Sequence, residues 1–402
     1  MVPKLRFTSF KDTWTSAYLN KLIVSLDAGV SVNSIDELPG DNEYSILKTS
    51  CVSFGYFDEN ERKKVVNNEV SRLKEMLVSN SILISRMNTP ALVGANAYIK
   101  DAPGNTFVPD RLWQVKVNDN VCNIKWLANF LSSEKGRTLL REKASGTSNS
   151  MKNITKKDVF QIKLSYPDKE EQNKIADFLS SVDAKITLLN KQYEQLCQYK
   201  KSMMQNIFSQ KLRFKDEHGE DFPEWDYDEI SVLFSNKSKK YNPLSGLTYP
   251  CIELDCISQG SGQLLTTVDS LQQQSIKNIF KKGDVLFGKL RPYLRKYILA
   301  TFDGVCSSEI WVLKGILMDN TYLYQFIQTD FFINLANKST GSKMPRADWD
   351  AISSTFVSYP CLEEQTKIAN FFSSLDDKIT TKKAELDKLK TWKQCLLQQM
   401  FV

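Results

Sequence analysis

The reactive side chains of this 402-residue chain are spaced almost, but not quite, as known reactions require. Gly283-Asp-Val-Leu-Phe-Gly288-Lys289 has the interval of a phosphate-binding loop, yet Leu290 stands where Ser or Thr must hold magnesium, and an apolar, β-prone run fills its interior. Gly260-Ser261-Gly262 lacks the third glycine of a dinucleotide loop. Asp168, Asp183 and Lys185 imitate the carboxylate–lysine set of a nuclease, but they fall far apart along one predicted helix. The single histidine, His218, has no nucleophile or carboxylate constellation and belongs to a predicted turn, KDEHGEDFPEW. The eight cysteines contain no CxxC; Cys251 and Cys256 are the closest pair, so no zinc site is expected and the thiols read as reduced packing residues. No Asn/Asp-Pro-Pro-aromatic methyltransferase motif occurs. The expectation is a chain that binds rather than catalyses.

What remains with chemical capacity is cationic. Two apolar runs read as strands and end in polar and basic residues. ILISRMNTPALVG places Arg86, Asn88 and Thr89 at one strand end; DVLFGKLRPYLRK places Lys289, Arg291, Tyr293, Arg295 and Lys296 at another. Arginine and lysine suit guanine O6/N7 and phosphate, asparagine suits adenine, and tyrosine can stack or contact phosphate. Two loops rich in small residues add amides and cations suited to phosphate: Gly146, Thr147, Ser148, Asn149 and Lys152, and Gly341, Ser342, Lys343 and Arg346. Solvated basic hairpins and ordinary turns are the plain alternatives. The net charge of +6, from 53 Lys and Arg against 47 Asp and Glu, is a weak pointer to an anionic partner; the clustering says more.

The elements that must position these residues are written twice. Residues 164–187 read LSYPDKEEQNKIADFLSSVDAKIT and residues 357–380 read VSYPCLEEQTKIANFFSSLDDKIT, without a gap, at an offset of 193 residues. Polar positions match as well as apolar ones, which generic amphipathicity does not produce. Asp168 becomes Cys361 in the second copy, so that acid is not part of the shared frame. Lys4-Leu5-Arg6-Phe7 is echoed by Lys211-Leu212-Arg213-Phe214, and Trp14 by Trp225. Between the echoes the two stretches differ almost completely.

The repeated segments predict helices. Pro167 sets a boundary, and Glu170 and Glu171 suit a helix N-terminus. Apolar residues then recur at alternating intervals of four and three. One seam is Ile175, Leu179, Val182, Ile186, Leu189, Tyr193, Leu196, Met203 and Ile207; the other is Ile368, Phe372, Leu375, Ile379, Leu386, Leu389, Leu396 and Met400. Lys200, Lys382 and Lys393 interrupt the seams, as register-setting polar residues do. A homodimeric coil is one solution. Pairing within one chain avoids the entropy of association, and a whole module between the helices makes an antiparallel pair the natural form. Helices of about 39 residues would span roughly 58 Å, against roughly 34–36 Å between successive major-groove faces.

The expected fold class is α+β: two mixed modules, residues 1–163 and 210–356, with two long antiparallel coiled-coil helices, residues 164–209 and 357–402, as an internal repeat. Strands are predicted at 81–85, 113–117, 284–287 and 310–313, and helices at 124–135 and 322–335. No apolar run is long enough to span a bilayer and no secretory signal opens the chain, so a cytoplasmic location is expected.

The repeated SYP-x-x-EEQ-x-KI starts at 165–175 and 358–368, together with LFGKLRPYLRK at 286–296, resemble the specificity subunits of Type I restriction-modification systems over essentially the whole length. The resemblance implies two target-recognition domains, each reading half of a bipartite site in double-stranded DNA. It also implies helices that set the gap and dock two modification (methyltransferase) subunits. Those partners would bring S-adenosylmethionine, and motor-nuclease restriction subunits would bring ATP and Mg, with no cofactor held by this chain. The competing expectation is a coiled-coil scaffold joining two protein-binding domains.

Overall fold

The computed structural model describes residues 2–146, 150–245, 247–338 and 344–402. The chain forms two compact units: Met1–Asn190 with Ala384–Val402, and Lys191–Lys383. Both long helices, Lys169–Phe208 and Leu362–Gln399, contribute one half to each unit.

In the first unit, Phe178 meets Trp392 edge to face with ring centroids 6.0 Å apart, and Lys393 Nζ lies 2.6 Å from Asp183. In the second unit, Lys200 Nζ lies 2.6 Å from Asp376, and Phe208 stacks on Phe372. The start of one helix therefore meets the end of the other, as antiparallel packing demands. Lys200 and Lys393, and Asp376 and Asp183, are the same two positions of the repeat, so each unit carries the same cross-helix ion pair. That accounts for two of the cations that interrupt the seams. Ile175, Leu179, Val182, Leu189, Ile368, Phe372, Leu375, Leu386 and Leu396 are buried, whereas Ile186, Leu196, Ile379 and Leu389 are half-buried. The helix starts are more than a coil seam: Ile175 and Leu179 join the core of the first module, and Ile368 and Phe372 join that of the second.

The EEQ signature is a fastener. Glu171, 1% exposed, accepts two 2.7 Å bonds from Arg6 (Nε and Nη2) and a third from Trp14 Nε1 at 3.2 Å. Glu364, equally buried, accepts Arg213 Nε at 3.3 Å, Nη2 at 2.8 Å and Trp225 Nε1 at 3.0 Å. A buried carboxylate is tolerable only with such charge-assisted donors. This is why KLRF and a following tryptophan recur with each helix start. The next residue, Gln172 or Gln365, donates to the proline carbonyl at the helix entrance, Pro167 or Pro360, at 2.9 Å. Its amide oxygen accepts the backbone N–H of the cap residue of a module helix, Asn123 or Asp319, at 2.8 Å. Asp168 caps the first long helix through the Glu171 N–H at 2.8 Å, a bond that Cys361 does not reproduce.

Each module begins and ends in one antiparallel ribbon beside its helix start: Thr15–Tyr18 with Lys163–Tyr166, and Asp226–Glu229 with Phe356–Tyr359. The central sheets correspond strand for strand. The first runs Asn96–Ile99, Ser81–Ser85, Leu112–Val117, Ile23–Asp27; the second runs Tyr297–Leu299, Val285–Gly288, Ile310–Gly315, Phe234–Ser235. The outer sheets correspond only in part. Each has an earlier strand, Ser45–Leu47 or Pro250–Ile252, with a parallel neighbour on one side, Thr106–Phe107 or Gly304–Cys306, and an antiparallel one on the other. Thr106–Phe107 is an edge strand in the first unit, whereas Gly304–Cys306 continues in the second to Lys277–Phe280 and Lys240–Tyr241.

The helices expected at 124–135 and 322–335 are each two helices: Ile124–Ser132 and Glu134–Glu142, and Asn320–Phe326 and Asp330–Ala336. The break has one cause. Ser133 Oγ donates to the Phe130 carbonyl at 2.6 Å and accepts the Gly136 N–H at 3.2 Å; Thr329 Oγ1 does the same with Phe326 at 2.7 Å and Phe332 at 3.2 Å. The hydroxyl ends one helix and caps the next, outcompeting continuous apolar periodicity. Gly136 is also required there, because a Cβ would sit 2.2 Å from the Phe130 carbonyl oxygen. No described helix is long and apolar enough to cross a membrane.

Removing Arg6 leaves the Glu171 carboxylate buried with a single donor, a change that costs about 3–5 kcal/mol for a buried pair. Arg6→Ala is therefore expected to accelerate amide hydrogen exchange in Thr15–Tyr18 while sparing Asp226–Glu229, and Arg213→Ala to do the reverse. Unchanged exchange in both ribbons would show that the clamps do not hold the modules.

Candidate nucleic-acid interface

The basic segments and the small-residue loops, separate in the sequence, are joined by backbone pairing. In the first module the strand Ser81–Ser85 runs into Arg86, whose N–H donates to the Arg111 carbonyl at 3.0 Å and whose carbonyl accepts the Ile154 N–H at 2.9 Å. Met87–Asn88 then pairs antiparallel with Lys152–Asn153. In the second module Val285–Gly288 runs into Lys289, whose N–H donates to the Glu309 carbonyl at 2.9 Å and whose carbonyl accepts the Ala347 N–H at 2.8 Å. Leu290 bridges Arg346, and the Arg291 N–H donates to the Pro345 carbonyl at 2.8 Å. Arg86 and Lys289 thus occupy one position of a shared frame, each a cation with a return segment and with a tryptophan (Trp113 or Trp311) two residues away in register on the neighbouring strand.

The side chains are less alike. Arg86 is half-buried, its guanidinium carbon 5.7 Å from the Trp113 ring centroid, and its Nε has no described partner. Asn88 is turned into its own loop: Nδ2 donates to Ser85 Oγ at 3.2 Å and Oδ1 accepts the Thr89 N–H at 2.8 Å. Thr89 is exposed. Lys152 donates to the Gly146 carbonyl at 2.7 Å. In the second module Lys289 is half-buried, Arg291 is exposed and Tyr293 is 53% exposed; none of the three side chains makes a hydrogen bond or ion pair with a described residue. Arg295 is held by Asp330 and by the Gln328 carbonyl at 3.2 Å, and Lys296 donates to the Leu254 carbonyl at 2.7 Å. Arg346 forms a two-pronged pair with Glu309 at 3.1 and 3.3 Å. Ser148, Asn149, Ser342 and Lys343 lie outside the described residues.

One frame position escaped the sequence reading. Arg111 and Glu309 face Arg86 and Lys289 through the same backbone bond, yet they carry opposite charges; Arg111 is exposed and its side chain makes no hydrogen bond or ion pair with a described residue. The signal was present in Arg111-Leu-Trp113 against Glu309-Ile-Trp311, which align on their tryptophans.

The decoys resolve structurally. The P-loop-like run is the strand Val285–Gly288, and His218 is an exposed turn residue whose N–H donates to Asp216 at 2.8 Å. Among the described residues, no three His, Cys, Asp or Glu side chains gather as metal ligands. Burial pushes the Cys122 and Cys251 thiols and the Tyr297 phenol up to about 12, away from the range in which a group trades protons at neutral pH. The arrangement can donate hydrogen bonds and neutralise anions.

Arg291 and Arg295 both adopt left-handed backbone, with φ of 52° and 50°, around the turn Pro292–Leu294. Such a conformation costs about 1–2 kcal/mol in a residue with a Cβ, and it persists only where surroundings impose it. Arg291→Gly is accordingly expected to raise the thermal stability of the chain by about 1 kcal/mol; a lowered melting temperature would mean that the arginine side chain itself holds the turn.

A family model described as the Type I restriction modification DNA specificity domain matches residues 35–198 and again residues 226–391, one copy per module with its helix. The Type I restriction enzyme MjaVIII specificity subunit of Methanocaldococcus jannaschii is 26% identical over 290 residues, covering 67% of each chain. The S subunit of the Type I restriction-modification system from M. genitalium has the same fold, with a TM-score of 0.60 at 16% identity over 100% of this chain and 99% of that one. A chain from a structure that addresses complex assembly and conformational transition of the type I R-M system matches with a TM-score of 0.52 at 12% identity, over 97% and 98%. With both halves matched, the chain belongs to the family of Type I restriction-modification specificity subunits.

Proposed function

We propose that this chain reads DNA for a Type I restriction-modification complex, each module recognising one half of a bipartite site in double-stranded DNA. The observation that carries the reading is the placement of Arg86 and Lys289 at one frame position, each at a strand end braced by a return segment. Duplicated frames with unlike interiors suit two different half-sites. Lys289, Arg291 and Tyr293 are the second module's free contacts; Arg86 and Arg111 are those of the first. The two long helices set the gap and dock two modification subunits, with restriction subunits completing the assembly in the cytoplasm. S-adenosylmethionine, ATP and Mg belong to those partners, and this chain supplies specificity without catalysis. The relative's naming as a subunit, and the fold shared with a chain from a study of complex assembly, support this division of labour.

Neutralising phosphates releases counterions, so log affinity is expected to fall linearly with log salt, by about 0.9 per phosphate contacted. A scaffold of protein-binding domains would not be retained on DNA at all. Arg291→Ala should weaken binding at one half-site only; equal loss on unrelated sequences would make it a phosphate contact. Lengthening both helices by matching heptads should change the tolerated spacer, and an unchanged spacer preference would remove the helices as its determinant.

A further inference from the structure

The second unit contains a cleft of about 1200 Å³ between its halves of the two long helices and its module, and a chain of polar contacts crosses it. Lys200, on the first long helix, donates to Asp376 on the second at 2.6 Å and to Gln328 Oε1 at 2.9 Å. The Gln328 carbonyl accepts Arg295 Nη1, while Arg295 Nη2 donates to Asp330. The Arg295 guanidinium holds the Asp330 carboxyl below the usual carboxylate range. Arg295 is the last residue of the strained turn that presents Arg291 and Tyr293, and its carbonyl is fixed by the Gly260 N–H at 3.0 Å.

We propose that Arg295 and Asp330 are positioning residues: their ion pair anchors the Arg291–Tyr293 turn to the helix Asp330–Ala336, beside Gln328, which Lys200 holds from the first long helix, and neither touches DNA. The inference rests on the DNA-reading function proposed above and assigns a role within that site. Two left-handed residues bracket a three-residue turn, so something outside the turn must hold it. At its start that is the Pro345 carbonyl; at its end it is the Asp330 carboxylate, which ties the turn to a helix rather than to another loop. A carboxylate beside Arg295 also makes it a poor phosphate ligand, because bringing DNA to it would bring like charges together. In the first module neither Arg86 nor the residues after it up to Pro90 has a positive φ, so the device belongs to the second half-site alone.

Asp330→Asn separates the two roles by sign. If Arg295 contacted DNA, removing the competing carboxylate would free it and sharpen or preserve selection. If the pair positions the turn, removal blurs it. The test is enrichment of sequences from a pool of short duplexes randomised at every position, using the full-length chain, with binding of the unselected pool measured across salt. We expect Arg295→Ala and Asp330→Asn each to lower base preference at one half-site by about fivefold or more and to spare the other. The double variant should lose no more than either single, and the salt slope should stay unchanged. Undiminished preference in Asp330→Asn, or a slope reduced by about 0.9 in Arg295→Ala, would overturn the proposal. Asp330→Asn is nearly isosteric and decides the matter even if Arg295→Ala fails to fold. Absence of any enrichment by the unsubstituted chain would instead overturn the DNA-reading function, and the positioning role with it.

Discussion

A carboxylate taken out of water must be met by donors, and that demand organises both halves of this protein. Glu171 and Glu364 sit at the first turn of the long helices with almost no exposure, and each is answered by an arginine and a tryptophan from a segment more than 130 residues away in sequence. The lead segment, the closing ribbon and the helix start are thereby fixed at one point. The neighbouring glutamine extends the same point to the module's own helix cap. Everything the modules present is built outward from that junction.

Because the junction fixes only the base of each module, the interior is free to vary. The central sheets keep their strand order, since they carry the position of Arg86 or Lys289. The outer sheets differ in extent, the second carrying two further strands beyond its parallel pair, without disturbing that position. Opposite charges at Arg111 and Glu309 have the same meaning: the frame prescribes where a side chain stands, and leaves its chemistry open.

The repeat, both helices and the strands leading to the basic segments were legible in the sequence, because gapless identity at polar positions and heptad spacing leave few alternatives. The helix breaks were not, because Ser133 and Thr329 interrupt an apolar pattern that reads as continuous; only their hydroxyl bonds to the preceding turn reveal the caps. The cationic segments were found as a class, but composition cannot tell a free cation from a committed one. Arg291 and Arg295 look alike in Lys289-Leu-Arg-Pro-Tyr-Leu-Arg295, and only the approach of Asp330 distinguishes them. Arg111 went unnoticed because its importance comes from facing Arg86 across a strand, not from its neighbours in sequence.

The two left-handed arginines have a thermodynamic corollary. A flexible basic loop must surrender its freedom when it meets a ligand, and that ordering subtracts from affinity. Here the unfavourable backbone conformation is already adopted in the folded chain, so the penalty is borne during folding. Were this turn to meet DNA as proposed, its backbone would already be ordered, and the freedom left to lose would be that of the exposed Arg291 and Tyr293 side chains.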